Sequence, residues 1–157
     1  MAEEQKGMWS KEQVVQLAGR AWENAALQPE SVFMFRFLQF QFSYDDARRE
    51  CRIECPVTPA MYNPFGIVHG GIYTFIADTA IGHLNFRYKD APYVSLELKT
   101  SYLKSTQTGK LIATARYVRE GNRVLFAEAT VEDEYGERLS VTTGTFYRVG
   151  DDSRTKK

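Results

Sequence analysis

Between Gly70 and Asn85 one side chain carries a formal charge, Asp78. Its neighbours are Ile72, Phe75, Ile76, Ala77, Ala80, Ile81 and Leu84. Burying an ionised carboxylate among such residues costs several kcal/mol unless it is paired. The carboxylate therefore has either a structural partner, such as an arginine or a loop to cap, or proton-transfer or nucleophilic chemistry to perform. On a helix, Gly71, Thr74, Asp78, Gly82 and Asn85 fall on one stripe, and every member but Asp78 is small or neutral. Such a stripe leaves room beside the acid for a ligand or another backbone.

Gly70 and Gly71 stand where this helix begins. The first N–H groups of a helix lack partners within it, and the macrodipole favours negative charge there. A carbonyl oxygen held against them would gain as it became an oxyanion. A tight turn is the alternative use of the two glycines. Asn63, six residues before His69, could donate its amide to the same oxygen, or could serve as a turn former beside Pro64.

These residues need elements to hold them. Ser10 and Gln13 form a capping-box pattern ahead of an amphipathic helix over about 11–27. In SVFMFRFLQFQFSY the alternation of phenylalanines changes phase, which fits a strand with a bulge or a helical turn followed by a strand. A second strand is expected over 48–57, then a turn-rich loop, then a long helix over about 68–88. After Pro92 the chain reads as strands. Val94, Leu96 and Leu98 alternate with Ser95, Glu97 and Lys99, which puts Ser95 on a solvent-facing side. Thr108-Gly109, Gly121-Asn122 and Tyr135-Gly136 separate runs near 111–119, 123–133 and 139–149. The expectation is an α+β domain over 10–149, with about six antiparallel strands against one long helix that is apolar nearly all round. Flexible ends are expected at 1–9 and 150–157.

The remaining composition narrows the function. Lys+Arg and Asp+Glu both number 20, so no global field attracts nucleic acid or an anionic membrane. No stretch is apolar enough to span a bilayer, and the N-terminal residues lack the apolar core of a signal peptide. Cys51 and Cys55 on one strand lie about 13 Å apart, too far for a disulfide. With two histidines and no C-x-x-C, no metal site is expected. A cytoplasmic protein without cofactor follows. No G-x-S-x-G elbow is present.

Taken together, N-P-F-G-I-V-H-G-G and the following I-Y-T-F-I-A-D-T-A resemble the hotdog-fold acyl-CoA thioesterases, nearest the 4-hydroxybenzoyl-CoA and phenylacetate-pathway type. Asn63, Gly66, His69, Gly70, Gly71 and Asp78 match that pattern, and the similarity runs over roughly 35–149. The resemblance implies a hotdog fold: a curved antiparallel sheet wrapped around the long helix, in a homodimer that pairs into a homotetramer. It implies hydrolysis of an acyl- or aryl-CoA thioester without metal. The Gly70 N–H and Asn63 amide would polarise the carbonyl, and Asp78 would be general base or nucleophile. His69 would orient the turn and Asn63. Ser95 matches a serine that helps to hold water in some members. Gly71, Lys104 and Arg123 are the remaining substrate-binding candidates, the two cations for CoA phosphates. A non-catalytic acyl-CoA-binding or regulatory hotdog protein is the alternative.

Gly70 and Asp78 lie eight residues apart on one helix, about 12 Å. A reacting carbon must sit within roughly 3–3.5 Å of its attacker while its oxygen meets the donor. One helix cannot do both, so the expected site joins Gly70 and Asn63 of one subunit to Asp78 of another.

Overall fold

The computed structural model describes residues 9–150. The flexible ends expected at either terminus fall, at 1–8 and 151–157, outside the described residues. Two helices come first, α1 (Lys11–Glu23) and α2 (Phe33–Phe37), then strands β1 (Gln41–Asp45) and β2 (Glu50–Pro56). The long helix α3 (Gly70–Tyr88) follows, then β3 (Tyr93–Tyr102), β4 (Lys110–Glu120), β5 (Val124–Glu132) and β6 (Arg138–Arg148). All six strands join one antiparallel sheet in the order β1-β2-β4-β5-β6-β3, curved around α3. This is the hotdog fold that the resemblance implies.

The sheet can close on a helix because its inner lane is narrow. Cys51, Ala115, Ala129 and Thr142 face one another across β2, β4, β5 and β6, and all are buried. Ala113 and Ala127 extend this lane of small side chains. Larger residues would hold the helix off; here Ile76, Ala77, Ala80, Ile81 and Leu84 of α3 reach zero exposure against it. Cys51 and Cys55 are free and buried, and burial pushes both thiols up to about 12.

Several elements differ from the sequence reading. The capping box is present, with Ser10 Oγ accepting from the Gln13 N–H at 3.2 Å. The helix ends at Glu23 instead of about residue 27, because Asn24 turns its side-chain amide onto the Arg20 carbonyl at 2.8 Å. The phenylalanine-rich segment adopts a short helix and then a strand, so the phase change marks the end of α2. Strands β4, β5 and β6 form the expected hairpins. Strand β3 pairs instead with β6, at the sheet's edge. Its other edge carries no strand, and Val94, Leu96, Tyr102 and Leu103 are exposed along it. No described helix is long and apolar enough to cross a membrane.

Candidate active site

The start of α3 is held by the loop before it. Tyr62 and Val68 form an isolated bridge, and the His69 N–H bonds the Met61 carbonyl at 2.8 Å. Within this loop Asn63 Oδ1 accepts from the Phe65 N–H at 2.9 Å and the Ile67 N–H at 3.4 Å. The Asn63 carbonyl takes the Gly66 N–H at 3.0 Å. Gly66 sits at φ +73°, a conformation open to a residue without Cβ. With its oxygen committed to the loop, Asn63 keeps its Nδ2 to donate outward.

His69 caps the helix: its Nδ1 accepts from the Gly71 N–H at 2.9 Å. The Gly71 amide, expected to be an open donor, is therefore occupied. The Gly70 N–H is the open one, with no hydrogen bond among the described residues. Beside Gly70 stands Tyr102, whose ring lies 3.2 Å from where a Gly70 Cβ would be. Its hydroxyl meets Thr74 Oγ1 at 3.0 Å, and Thr74 continues to Thr100 and Thr142 at 3.0 and 2.9 Å. The sequence reading passed over Tyr102, although Leu98, Thr100 and Tyr102 alternate towards one face of β3.

Two turns along α3, Asp78 is partly buried and forms no ion pair among the described residues. Burial raises its carboxyl above the ordinary aspartate range, and a hydrogen bond from Ser95 opposes the rise. Alternation alone puts Ser95 with Glu97 and Lys99, towards solvent. The structure corrects this through a β-bulge. Ser95 pairs with Phe146 and Glu97 with Thr145, so Leu96 is the extra residue. The bulge reverses the phase, and Ser95 shares the face of the buried Phe146 while staying exposed at the sheet's edge.

The two cation candidates separate. Lys104 follows β3 beside Leu139, and pairs with Glu137 at 3.6 Å. The Arg123 carbonyl bonds the Arg148 N–H at the other end of β6. Nine residues of strand put them about 30 Å apart, so one chain cannot bring both to a single phosphate. His83, inside the last two turns of α3, is buried. It stacks on Phe42 with centroids 4.1 Å apart and meets the Tyr44 hydroxyl at 3.1 Å. Phe75 and Tyr88 are committed to the surrounding structure: Phe75 contacts Phe35 and Phe40, and the Tyr88 hydroxyl bonds Asp46 at 2.8 Å.

Residues 65–140 match the thioesterase superfamily. The 1,4-dihydroxy-2-naphthoyl-CoA hydrolase of Listeria monocytogenes is 30% identical over 95 residues, 59% of this chain and 77% of that protein. Among solved structures, a Bacillus halodurans protein crystallised with CoA superposes with a TM-score of 0.81 at 22% identity, covering 94% of this chain and 98% of that one. The Escherichia coli PaaI protein from the phenylacetic acid degradation operon gives 0.71 at 22% identity, covering 85% and 96%. The chain belongs to the thioesterase superfamily. It is a thioester hydrolase on a hotdog fold.

Proposed function

We propose that this hydrolase cleaves acyl- or aryl-CoA thioesters to the free acid and CoA, in sites shared between two subunits. The Gly70 N–H and Asn63 Nδ2 of one subunit polarise the carbonyl, and Asp78 of the other is the general base or nucleophile. As base, Asp78 takes a proton from water while the water oxygen bonds the carbonyl carbon. The carbonyl electrons move to the oxyanion, which faces the helix-start donors. Collapse breaks the C–S bond, and the CoA thiolate leaves with the proton Asp78 holds. Ser95 keeps the carboxylate ionised and aimed.

The observation that carries this reading is the separation on α3. A half-buried carboxyl with no cation partner among the described residues and an open N–H occupy one helix, about 12 Å apart. The bare edge of β3 supports the second subunit: an antiparallel copy laid along it brings the Tyr102 end of one strand beside the Ser95 end of the other. Tyr102 stands against Gly70, and Ser95 lies near enough to Asp78 to oppose the rise of its carboxyl. Exposed Val118, Phe126 and Tyr147 support the further pairing of dimers into a tetramer. The relative's CoA substrate and the CoA in the Bacillus halodurans crystal support CoA as the thiol. The two buried free thiols support a reducing, cytoplasmic setting. Contacts of Phe35 in α2 with Phe75 and His83 support 10–149 as one domain.

The test is thiol release from short, medium, long and aromatic acyl-CoAs. The native enzyme turns over at least one class, and Asp78→Asn loses about 10²–10⁴ in kcat on it. Near-native turnover by a folded Asp78→Asn variant overturns the assignment.

A further inference from the structure

Tyr102 brings to the start of α3 a hydroxyl that the proposed chemistry leaves unused. It is the outer end of a row of hydroxyls, Tyr102, Thr74, Thr100 and Thr142, that runs inward from the sheet's edge to the buried Thr142 of β6. A hydroxyl has one proton to give, so the direction of such a row can be counted. Thr74 Oγ1 donates to Thr100 Oγ1 at 3.0 Å. Its proton is thereby spent, so in the 3.0 Å contact with Tyr102 it can only accept, and Tyr102 donates. The Tyr102 oxygen then has only lone pairs to offer outward. It makes no other hydrogen bond among the described residues, and Tyr102 is 56% exposed.

This acceptor stands beside the open Gly70 N–H. The Tyr102 hydroxyl lies 3.4 Å from where a Gly70 Cβ would be. Backbone geometry then puts it within about 6 Å of the Gly70 nitrogen. A donor and an acceptor so placed together fit a molecule that presents a carbonyl oxygen and, a few bonds away, an N–H. A thioester built on an S–CH2–CH2–NH arm is such a molecule, and the CoA thiol ends in that arm.

We propose that Tyr102 is a specificity residue for the thiol side of the substrate, its oxygen accepting the amide N–H of this arm while the Gly70 N–H holds the thioester carbonyl. The proposal rests on the reading of Gly70 as a carbonyl donor. Thr74 takes part from behind: by accepting the tyrosine proton it keeps the outward side of the oxygen an acceptor. An arm with an ester oxygen in place of the N–H sets lone pairs against lone pairs. A plain alkyl thiol leaves the tyrosine oxygen unmatched.

The test is kcat/KM by thiol release on matched pairs, the benzoyl and hexanoyl thioesters of N-acetylcysteamine against those of 2-acetoxyethanethiol, in which an ester oxygen replaces the N–H. The native enzyme should favour the amide member of at least one pair by about tenfold or more, the effect of one hydrogen bond lost and two acceptors opposed. Tyr102→Phe keeps the ring and should bring the ratio to within about threefold, with the loss falling on the amide member. Thr74→Val frees the tyrosine proton to turn outward, and should narrow the ratio by raising the rate on the ester member. The proposal is overturned if the native enzyme shows no preference for the amide in either pair. It is equally overturned if Tyr102→Phe keeps the preference or lowers both members alike, as a purely structural ring would, or if Thr74→Val leaves the ratio where it was. The native comparison needs no variant to fold. An error in the carbonyl-donor reading would show separately, as near-native turnover by Asn63→Ala, and would leave the measured ratios intact.

Discussion

Two inactive variants should make an active enzyme when mixed. Asp78→Asn removes the carboxylate proposed to react, and Asn63→Ala removes one proposed carbonyl donor, for an expected loss of about 10²–10³ in kcat. Neither side chain lies in the sheet's inner lane, and Asn63 Nδ2 makes no hydrogen bond that holds the loop; its Oδ1 does, so Asn63→Asp serves as the control that keeps the turn. Suppose each site takes Gly70 and Asn63 from one subunit and Asp78 from the other. A mixed dimer then has one site with both groups native and one with both groups altered. Equal mixing and free exchange make half the dimers mixed, so the mixture should recover about a quarter of native activity per subunit in a two-fold symmetric dimer. The assay is thiol release after denaturation and co-refolding, with native mass spectrometry counting the mixed species. Recovery should scale with the mixed fraction. Activity no greater than the sum of the two parents, in a sample shown to contain mixed dimers, refutes the shared site. It would mean that about 12 Å of helix is bridged within one chain by a movement of the loop.

Two further outcomes follow from the Asp78 environment. Ser95→Ala removes the contact that opposes burial, so the carboxyl rises further and the acid limb of the kcat/KM profile moves to higher pH. An unmoved limb would detach Ser95 from Asp78. Because burial raises the folded carboxyl, its contribution to stability is present at low pH and is lost as pH rises through the folded value. Asp78→Asn should therefore melt above the native protein near pH 8, with the gap shrinking towards about pH 4. Thermal melts across that range check it, and a lower Tm at pH 8 would point to a structural partner for the carboxylate.

Local signals in the sequence carried much of this architecture. The capping box at Ser10, the dyad alternation of the strands and the glycine turns are contacts between near neighbours, so their residue types declare them. The length of α3 and its apolar character on every side required a sheet that wraps it. The isolation of Asp78 required an explanation before any coordinates. Errors arose where a distant partner decided the outcome. The early end of α1 was the exception, set locally by the Asn24 side chain on Arg20.

The pairing of β3 with β6 has no local signature, since the strands are joined through two intervening hairpins, and only tertiary contacts select it. The bulge at Leu96 arises from that pairing, and it puts Ser95 on the face of the sheet that Phe146 shares. Likewise the burial of His83 is made by Phe35, Phe42 and Tyr44, which come from distant elements. Residue type and spacing thus singled out the groups proposed to react, because charge, size and helical period are properties of a short segment. Their protonation, orientation and room for a ligand were decided by segments far off in the chain, because desolvation and cross-strand register exist only once those segments meet.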